Sequence, residues 1–151
     1  MYRRQRIGLA VLLSFMLLVL SGCTTAVITL TFQQSGNPTV NTLVLDGTET
    51  EIGGALTIAA SAGFLYSTLK IDTVSWVAYD GDDEVIPDLT GTAEINKSIP
   101  VIGKASYTHN QTFAFSYDDI VSRGVARIEI TVTGKPNATL SIAIETTGPS
   151  A

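Results

Sequence analysis

Apolar and polar residues alternate one by one near the end of the chain, and this period of two most restricts what the chain can fold into. Between positions 126 and 133, every second residue is apolar, and the others are charged or threonine. Successive side chains of a β-strand point to opposite faces, so the pattern predicts a strand with one buried face. The residues predicted to face the core are Ala126, Ile128, Ile130 and Val132.

The same alternation recurs in short segments separated by turn-forming residues. The strand at 126–133 is predicted to form a hairpin with a strand around 140–144. Further predicted strands include 28–33, 43–45, 64–71, 74–79, 84–86, 92–96 and 107–117. Pro87 limits its segment to an edge strand or a strand end, because proline lacks the backbone donor. Seven to nine short strands without a long helix predict an all-β, antiparallel sandwich.

One short helical turn is predicted between two of these strands. Residues 118–123 have the composition for it, with Asp118 or Asp119 as the N-cap and Gly124 as the stop. The turn would connect the two sheets.

The only tryptophan gives the sandwich a more specific resemblance. Trp76 lies in mid-chain among alternating residues, which resembles the buried tryptophan on the third strand of immunoglobulin-type sandwiches. The resemblance implies an immunoglobulin-like fold. The paired cysteines of antibody domains are missing, because Cys23 is the only cysteine.

The amino-terminal segment has the layout of a secretory signal. Arg3, Arg4 and Arg6 form a basic start, and a mostly apolar stretch runs from Ile7 to Leu20. As a helix this stretch would span roughly 21 Å, less than the ~30 Å hydrocarbon core of a bilayer. Residues 1–22 are therefore interpreted as a cleaved signal that directs the rest of the chain outward.

The signal ends in Leu20-Ser21-Gly22-Cys23, which resembles the lipobox of prokaryotic lipoprotein precursors. The resemblance covers the first 23 residues and implies cleavage before Cys23 and a covalent lipid on its sulfur. Thr24, rather than aspartate, resembles the sorting pattern for an outer membrane, if the host has one. The expected organisation is signal 1–22, lipidated cysteine and tether 23–26, sandwich 27–146 and polar tail 147–151.

Removing the signal changes the charge of the chain. Six basic residues then face 14 acidic ones, for a net charge near −8. An acidic protein is not expected to bind nucleic acid or anionic lipid, since both attract basic patches. With no second cysteine, no disulfide stabilises the fold.

An acidic turn is the candidate metal site. Asp80, Asp82, Asp83 and Glu84, with Asp88 nearby, could supply several of the oxygens that calcium requires. Hairpin turns are also rich in aspartate and glycine for conformational reasons alone. Both interpretations stay open, and no other cofactor is expected.

Three sequences match the N-glycosylation pattern, namely Asn96-Lys97-Ser98, Asn110-Gln111-Thr112 and Asn137-Ala138-Thr139. Modification would require a host that glycosylates, such as an archaeon. The sequence leaves open whether the host is bacterial or archaeal.

The chain lacks the usual components of a catalytic site. His109 is the only histidine, so neither a zinc site with several imidazoles nor a catalytic triad with a choice of base is available. The aromatic residues Tyr66, Trp76, Tyr79 and Tyr107 could stack on sugars if they were exposed together, or they could fill the core.

The expected function is that of a membrane-anchored envelope lipoprotein with a non-catalytic structural or protein-interaction role. Cys23 would hold it to the cell membrane or the outer membrane, with the domain on the extracytoplasmic side. Its partners would be the bilayer and an envelope protein. The alternatives are a module that binds carbohydrate or depends on calcium and, third, a small envelope hydrolase.

Overall fold

The computed structural model describes residues 27–62 and 67–148. This part of the chain forms eight strands, within the predicted range, and one helix. They are β1 (Val27–Gln33), β2 (Thr42–Leu45), β3 (Ile52–Ser61), β4 (Ser67–Asp80), β5 (Val85–Val101), β6 (Lys104–Phe113), α1 (Tyr117–Arg123), β7 (Val125–Lys135) and β8 (Ala138–Thr146).

The strands form two sheets that pack as a sandwich, which confirms the all-β prediction. One sheet has the order β1-β3-β6, and the other has the order β2-β8-β7-β4-β5. The expectation of a fully antiparallel sandwich is wrong at one edge, where β2 and β8 are parallel and Leu43 lies opposite Ile144. The chain reverses between β1 and β2, through a bridge between Gln33 and Val40, and then resumes the direction of β1.

The inward faces of both sheets bury apolar side chains, as the alternation predicts. The buried residues include Phe32, Leu43, Leu56, Ile58, Leu69, Ile71, Val74, Trp76, Phe113, Ile128, Ile130 and Ile142. Trp76 is 4% exposed and meets the rings of Phe113 and Phe115 edge-on, at centroid distances of 5.3 and 5.5 Å. These contacts between the sheets place the aromatic cluster in the core, where such rings bury large apolar areas.

Two strands are longer than predicted. Segments 84–86 and 92–96 belong to one strand, β5, which bends at the positive φ angles of Asp88 and Asn96 instead of ending there. Likewise, β4 continues from Ser67 to Asp80 without the predicted interruption, and the start of the predicted strand 64–71 lies outside the described residues. Pro87 lies in β5, an edge strand, as predicted.

The helix begins at a different residue from the predicted one. Strand β6 ends at Phe113, and Ser116, not Asp118 or Asp119, is the N-cap. Asp119 closes a capping box, since its Oδ2 accepts hydrogen bonds from the Ser116 backbone N–H at 2.7 Å and from its hydroxyl at 2.8 Å. Gly124 ends the helix in a left-handed conformation, as predicted.

Strand β7 departs from the predicted pattern at its first residues. Val125 is buried and Ala126 is exposed, the reverse of the prediction. The pairing with β4 shifts between Tyr79 and Asp80, and such a shift moves side chains to the other face. Beyond it, the inward positions from Ile128 onward are confirmed.

The sandwich has two distinct ends. The amino-terminal end holds the start of β1, the two-residue turn of Ile102 and Gly103 between β5 and β6, and the turn between β7 and β8. The helix end holds α1, the loop between β2 and β3, and the hairpin turn between β4 and β5. The Ile102–Gly103 turn connects β5 of one sheet to β6 of the other, so the amino-terminal end contains strand ends from both sheets.

Candidate functional site

The acidic turn between β4 and β5 is organised around Asp80. Its Oδ1 accepts hydrogen bonds from the backbone N–H groups of Asp82 and Glu84, both at 2.9 Å. Such local bonding of an aspartate to its own turn is the conformational role that these residues commonly take. The carboxylate of Asp80 therefore holds the turn.

The carboxylate of Asp83 turns toward the neighbouring strand. The guanidinium of Arg127 donates to its Oδ1 at 2.8 Å and to Glu129 at 3.3 Å, and lies 3.8 Å from the ring centre of Tyr79. The hydrogen bond to Asp83 is the main cause of a raised pKa of Arg127. Arg127 thus remains a fixed cation that covers one face of Tyr79.

The predicted calcium ligands do not converge. Within residues 27–62 and 67–148, no group of three or more histidine, cysteine or acidic side chains is placed so that it could hold a metal ion. Asp80 is committed to the turn and Asp83 to Arg127. The geometry gives the calcium prediction no support.

The three sequon asparagines are all exposed. Asn96 lies at the bend of β5 and donates from Nδ2 to Glu94, and Asn110 lies on β6. Asn137 lies in the turn between β7 and β8, where its Oδ1 accepts from the N–H of Gly134 at 2.9 Å. Glycosylation stays a prediction.

The four candidate aromatic residues do not form a platform in the described part of the chain. Trp76 is buried in the core, Tyr79 lies under Arg127, and Tyr107 lies half-buried in the other sheet. Tyr66 lies outside the described residues. His109 is half-buried on β6, opposite Leu56.

A polar depression lies at the helix end of the three-stranded sheet. It has a volume of about 520 Å³, and its lining includes Gln33, Glu51 and Thr112. The hydroxyl of Thr112 donates to Glu51 at 2.6 Å. Gln111, also in the lining, is only 7% exposed, and its Oε1 has no hydrogen-bond partner among the described residues.

Most charges of the domain are separated between its two ends, although Asp72 and Glu94 lie in the same half as the lysines. All four lysines of the chain are exposed in the half toward the amino-terminal end. Lys70 pairs in register with Lys135, Lys97 lies opposite Ile71, and Lys104 begins β6. The loops and helix of the helix end carry Asp46, Glu49, Glu51, Asp82, Asp83, Glu84, Asp118 and Asp119.

Two exposed apolar residues accompany the lysines. Ile102, in the turn between β5 and β6, is 79% exposed, and Val27, the first residue of β1, is 68% exposed. Val27 lies opposite Ser61, and Ser61 lies opposite Lys104 on the next strand. The sequence interpretation missed this surface, because its residues belong to different strands and only the fold brings them to one end.

Cys23 lies outside the described residues, so the structure does not bear on the predicted lipid attachment. In the ranges 27–62 and 67–148, no helix is long and apolar enough to cross a membrane. The fold defines a mostly-β domain of two sheets. Comparison of the sequence with protein-family models and with curated proteins finds no match.

Proposed function

We propose that the chain is a lipid-anchored cell-envelope protein, held by Cys23 on the extracytoplasmic side of a membrane, with a non-catalytic structural or protein-interaction role. The observation that carries the proposal is that β1 is already formed at Val27, the first residue that the structure describes. Only four Cα steps separate it from the cysteine of the lipobox-like sequence, a reach of at most about 14 Å. The anchor would therefore hold the domain beside the bilayer.

The proposal includes an immunoglobulin-like fold. In that fold, strands A, B and E adjoin in one sheet, and strands C, F and G adjoin in the other. The orders β1-β3-β6 and β8-β7-β4 correspond to A-B-E and G-F-C, and β5 lies beside β4 where variable-type domains have C′. Trp76 lies on β4, the counterpart of strand C, which supports the assignment.

The edge of strand β6 is the proposed contact for a protein partner. Among the strands in residues 27–62 and 67–148, β6 lies at the edge of its sheet and pairs with β3 alone in that sheet. A strand edge offers unpaired backbone groups to a chain that adds to the sheet. The outward side chains of β6, such as Ser106 and Thr108, are small and polar, so a partner strand could approach closely.

Lipid attachment is tested by labelling cells with radioactive palmitate and separating their membranes. The wild-type chain should incorporate label and sediment with membranes, and Cys23→Ser should lose both properties. Thr25→Ser is the matched control, because it changes the same segment without removing the sulfur. Membrane association that survives Cys23→Ser unchanged would show that the anchor is wrong.

The interaction role is tested by cross-linking the lipidated protein in intact cells and identifying the captured proteins. Substituting Thr108→Pro on the edge strand removes a backbone donor. The folded variant should lose the cross-linked partner, whereas Thr108→Val, which keeps that backbone donor, should retain it. Equal capture by both variants would place the partner elsewhere.

A further inference from the structure

We infer that the amino-terminal end of the sandwich docks directly on an anionic lipid surface, with its lysines facing the headgroups and Ile102 and Val27 entering the interface. The inference rests on the proposed lipid anchoring. It adds an orientation, a contact surface and a lipid class. The net negative charge of the whole chain argues against anionic lipid, but the positions of the charges matter more than their sum.

The amino-terminal end of the sandwich, or lysine end, is a basic surface on an acidic protein. Lys70 and Lys135 are neighbours across β4 and β7, and Lys104 lies at the start of β6. Asp72 is the acidic residue that directly contacts this group, at 3.1 Å from Lys70. Anionic headgroups attract such a basic group when it lies close to the membrane surface.

The helix end, which carries the acidic loops, would lie too far from the membrane to cancel this attraction. Strand β4 has 14 residues and spans about 43 Å at ~3.3 Å per residue. Salt screens charges beyond a Debye length of about 8 Å under physiological conditions. If the lysine end faces the bilayer, the carboxylates around Asp82 are several Debye lengths from the headgroups. In the opposite orientation these carboxylates would be repelled.

The tether would select the lysine end. The lipid would be attached within about 14 Å of Val27, and Val27 lies in the same end of the sheet as Ser61 and Lys104. The helix end is a whole strand length away, so the anchor brings the lysine end nearest to the surface. Anchor and charge therefore favour the same orientation.

Exposed apolar residues complete the contact. Ile102 lies two residues before Lys104 in the connecting turn, so a short apolar side chain and a long basic one project from the same place. This combination suits a lipid interface, where an apolar side chain enters the boundary and a lysine keeps its charge at the headgroups.

The experiment uses the full lipidated protein in vesicles of phosphatidylcholine with phosphatidylglycerol. A fluorophore that responds to polarity is attached to Ile102→Cys or, as the matched control at the helix end, to Asp82→Cys. The thiol of Cys23 would be blocked by its lipid. Lipids with a nitroxide near the headgroup should quench the label at position 102 at least twofold more than the label at position 82.

Flotation of the vesicles distinguishes a failure of the docking inference from a failure of the proposed lipid anchoring. If the protein floats but both labels stay equally exposed to water, docking is wrong and anchoring stands. If the protein does not float, the anchoring is wrong, and docking fails with it.

The electrostatic part is tested with Lys97→Glu combined with Lys104→Glu, in the background labelled at position 102. Quenching should fall at least twofold, and the wild-type signal should also fall when salt is raised from 0.1 to 0.5 M. Arg123→Glu makes a charge reversal at the helix end and should leave quenching unchanged. Circular dichroism would check that each variant is folded. If quenching at position 102 changes neither with the lysine charge reversals nor with salt, the electrostatic docking is wrong.

Discussion

The indole ring of Trp76 lies against Gly91 on the neighbouring strand, where there is no room for another side chain. The two residues are paired in register between β4 and β5. A Cβ atom at Gly91 would lie 2.5 Å from Nε1 of Trp76 and 2.7 Å from Cε2. The absence of a side chain at Gly91 therefore lets the ring lie on β5 and reach the aromatic residues of the other sheet.

Gly91→Ala should destabilise the domain by about 1–3 kcal/mol, the usual effect of overpacking a core. The methyl group would push the indole away from Phe113 and Phe115. Urea unfolding, followed by tryptophan fluorescence, measures the change. Gly81→Ala is the matched control, because a Cβ there meets nothing within 4 Å, and its stability should equal or slightly exceed that of the wild type. Equal stability of the two variants would contradict the packing.

Much of the fold was accessible from the sequence. Burial of one strand face leaves a period of two in the sequence, so the inward residues around Ile130 and the core position of Trp76 were predicted correctly. The parallel contact of Leu43 with Ile144 was not, because alternation indicates which face is buried but carries no information about the partner strand. The bend at Asn96 was missed because the β4–β5 register shifts there, between Ile71 and Thr73. Such a shift interrupts the alternation, so one bent strand resembles a strand that ends.

The candidate surfaces were less predictable than the fold. Lys70, Lys97, Lys104 and Lys135 lie far apart in the sequence, and their common end follows from the course of the chain through both sheets. The acidic turn shows the opposite problem. Its composition suggested ligands, but the hydrogen bonds of Asp80 and the ion pair of Asp83 use the carboxylates for structure.

The turn between β4 and β5 should depend on Asp80 and not on Asp82. Asp80→Ala removes the acceptor of two backbone N–H groups, and we expect a loss of about 1 kcal/mol, typical of such hydrogen bonds. Asp82→Ala is the control, since the carboxylate of Asp82 accepts none of the hydrogen bonds found in the turn. Thermal unfolding of both variants, with and without calcium, measures the difference. If both lose calcium-dependent stability, the metal interpretation is right after all.

The capping box of α1 should make stability depend on pH. The hydrogen bonds from the N–H and then the hydroxyl of Ser116 hold the pKa of Asp119 below its ordinary value of 3.8. A carboxylate with a lowered folded pKa stabilises the protein above its unfolded pKa, and this stabilisation is lost as pH falls through the folded value. Asp119→Asn should therefore be less stable than the wild type at pH 6, and the difference should shrink below about pH 3.8.

Unfolding in urea between pH 2.5 and 6 measures this difference. Asp118→Asn is the adjacent control, because its carboxylate is not part of the capping box, and it should lose less stability at pH 6. Ser116→Ala should cost about 1 kcal/mol at pH 6, as for other N-cap residues. If the free energies of unfolding of wild type and Asp119→Asn differ by the same amount at every pH, the ionised carboxylate is not the cause of the stability difference.

Gln111 should reduce the stability of the domain instead of increasing it. A buried polar atom without a partner typically costs about 1–3 kcal/mol, and Oε1 of Gln111 lacks one in the described structure. Gln111→Met keeps the length of the side chain and removes this oxygen. It also removes the bond from Nε2 to the carbonyl of Thr112. We expect a net gain of about 1 kcal/mol in the free energy of unfolding, measured in urea.

Gln34→Met provides the opposite case with the same change of residue. Gln34 bridges to β2, donating to the carbonyl of Val44 at 3.0 Å and accepting from its N–H at 2.8 Å, so its replacement should cost about 1–2 kcal/mol. If Gln111→Met is destabilised to the same extent, Oε1 must have a polar partner in solution. Because Gln111 lines the depression beside Glu51 and Thr112, that partner would be a water or ligand bound there, and the depression would become a binding site.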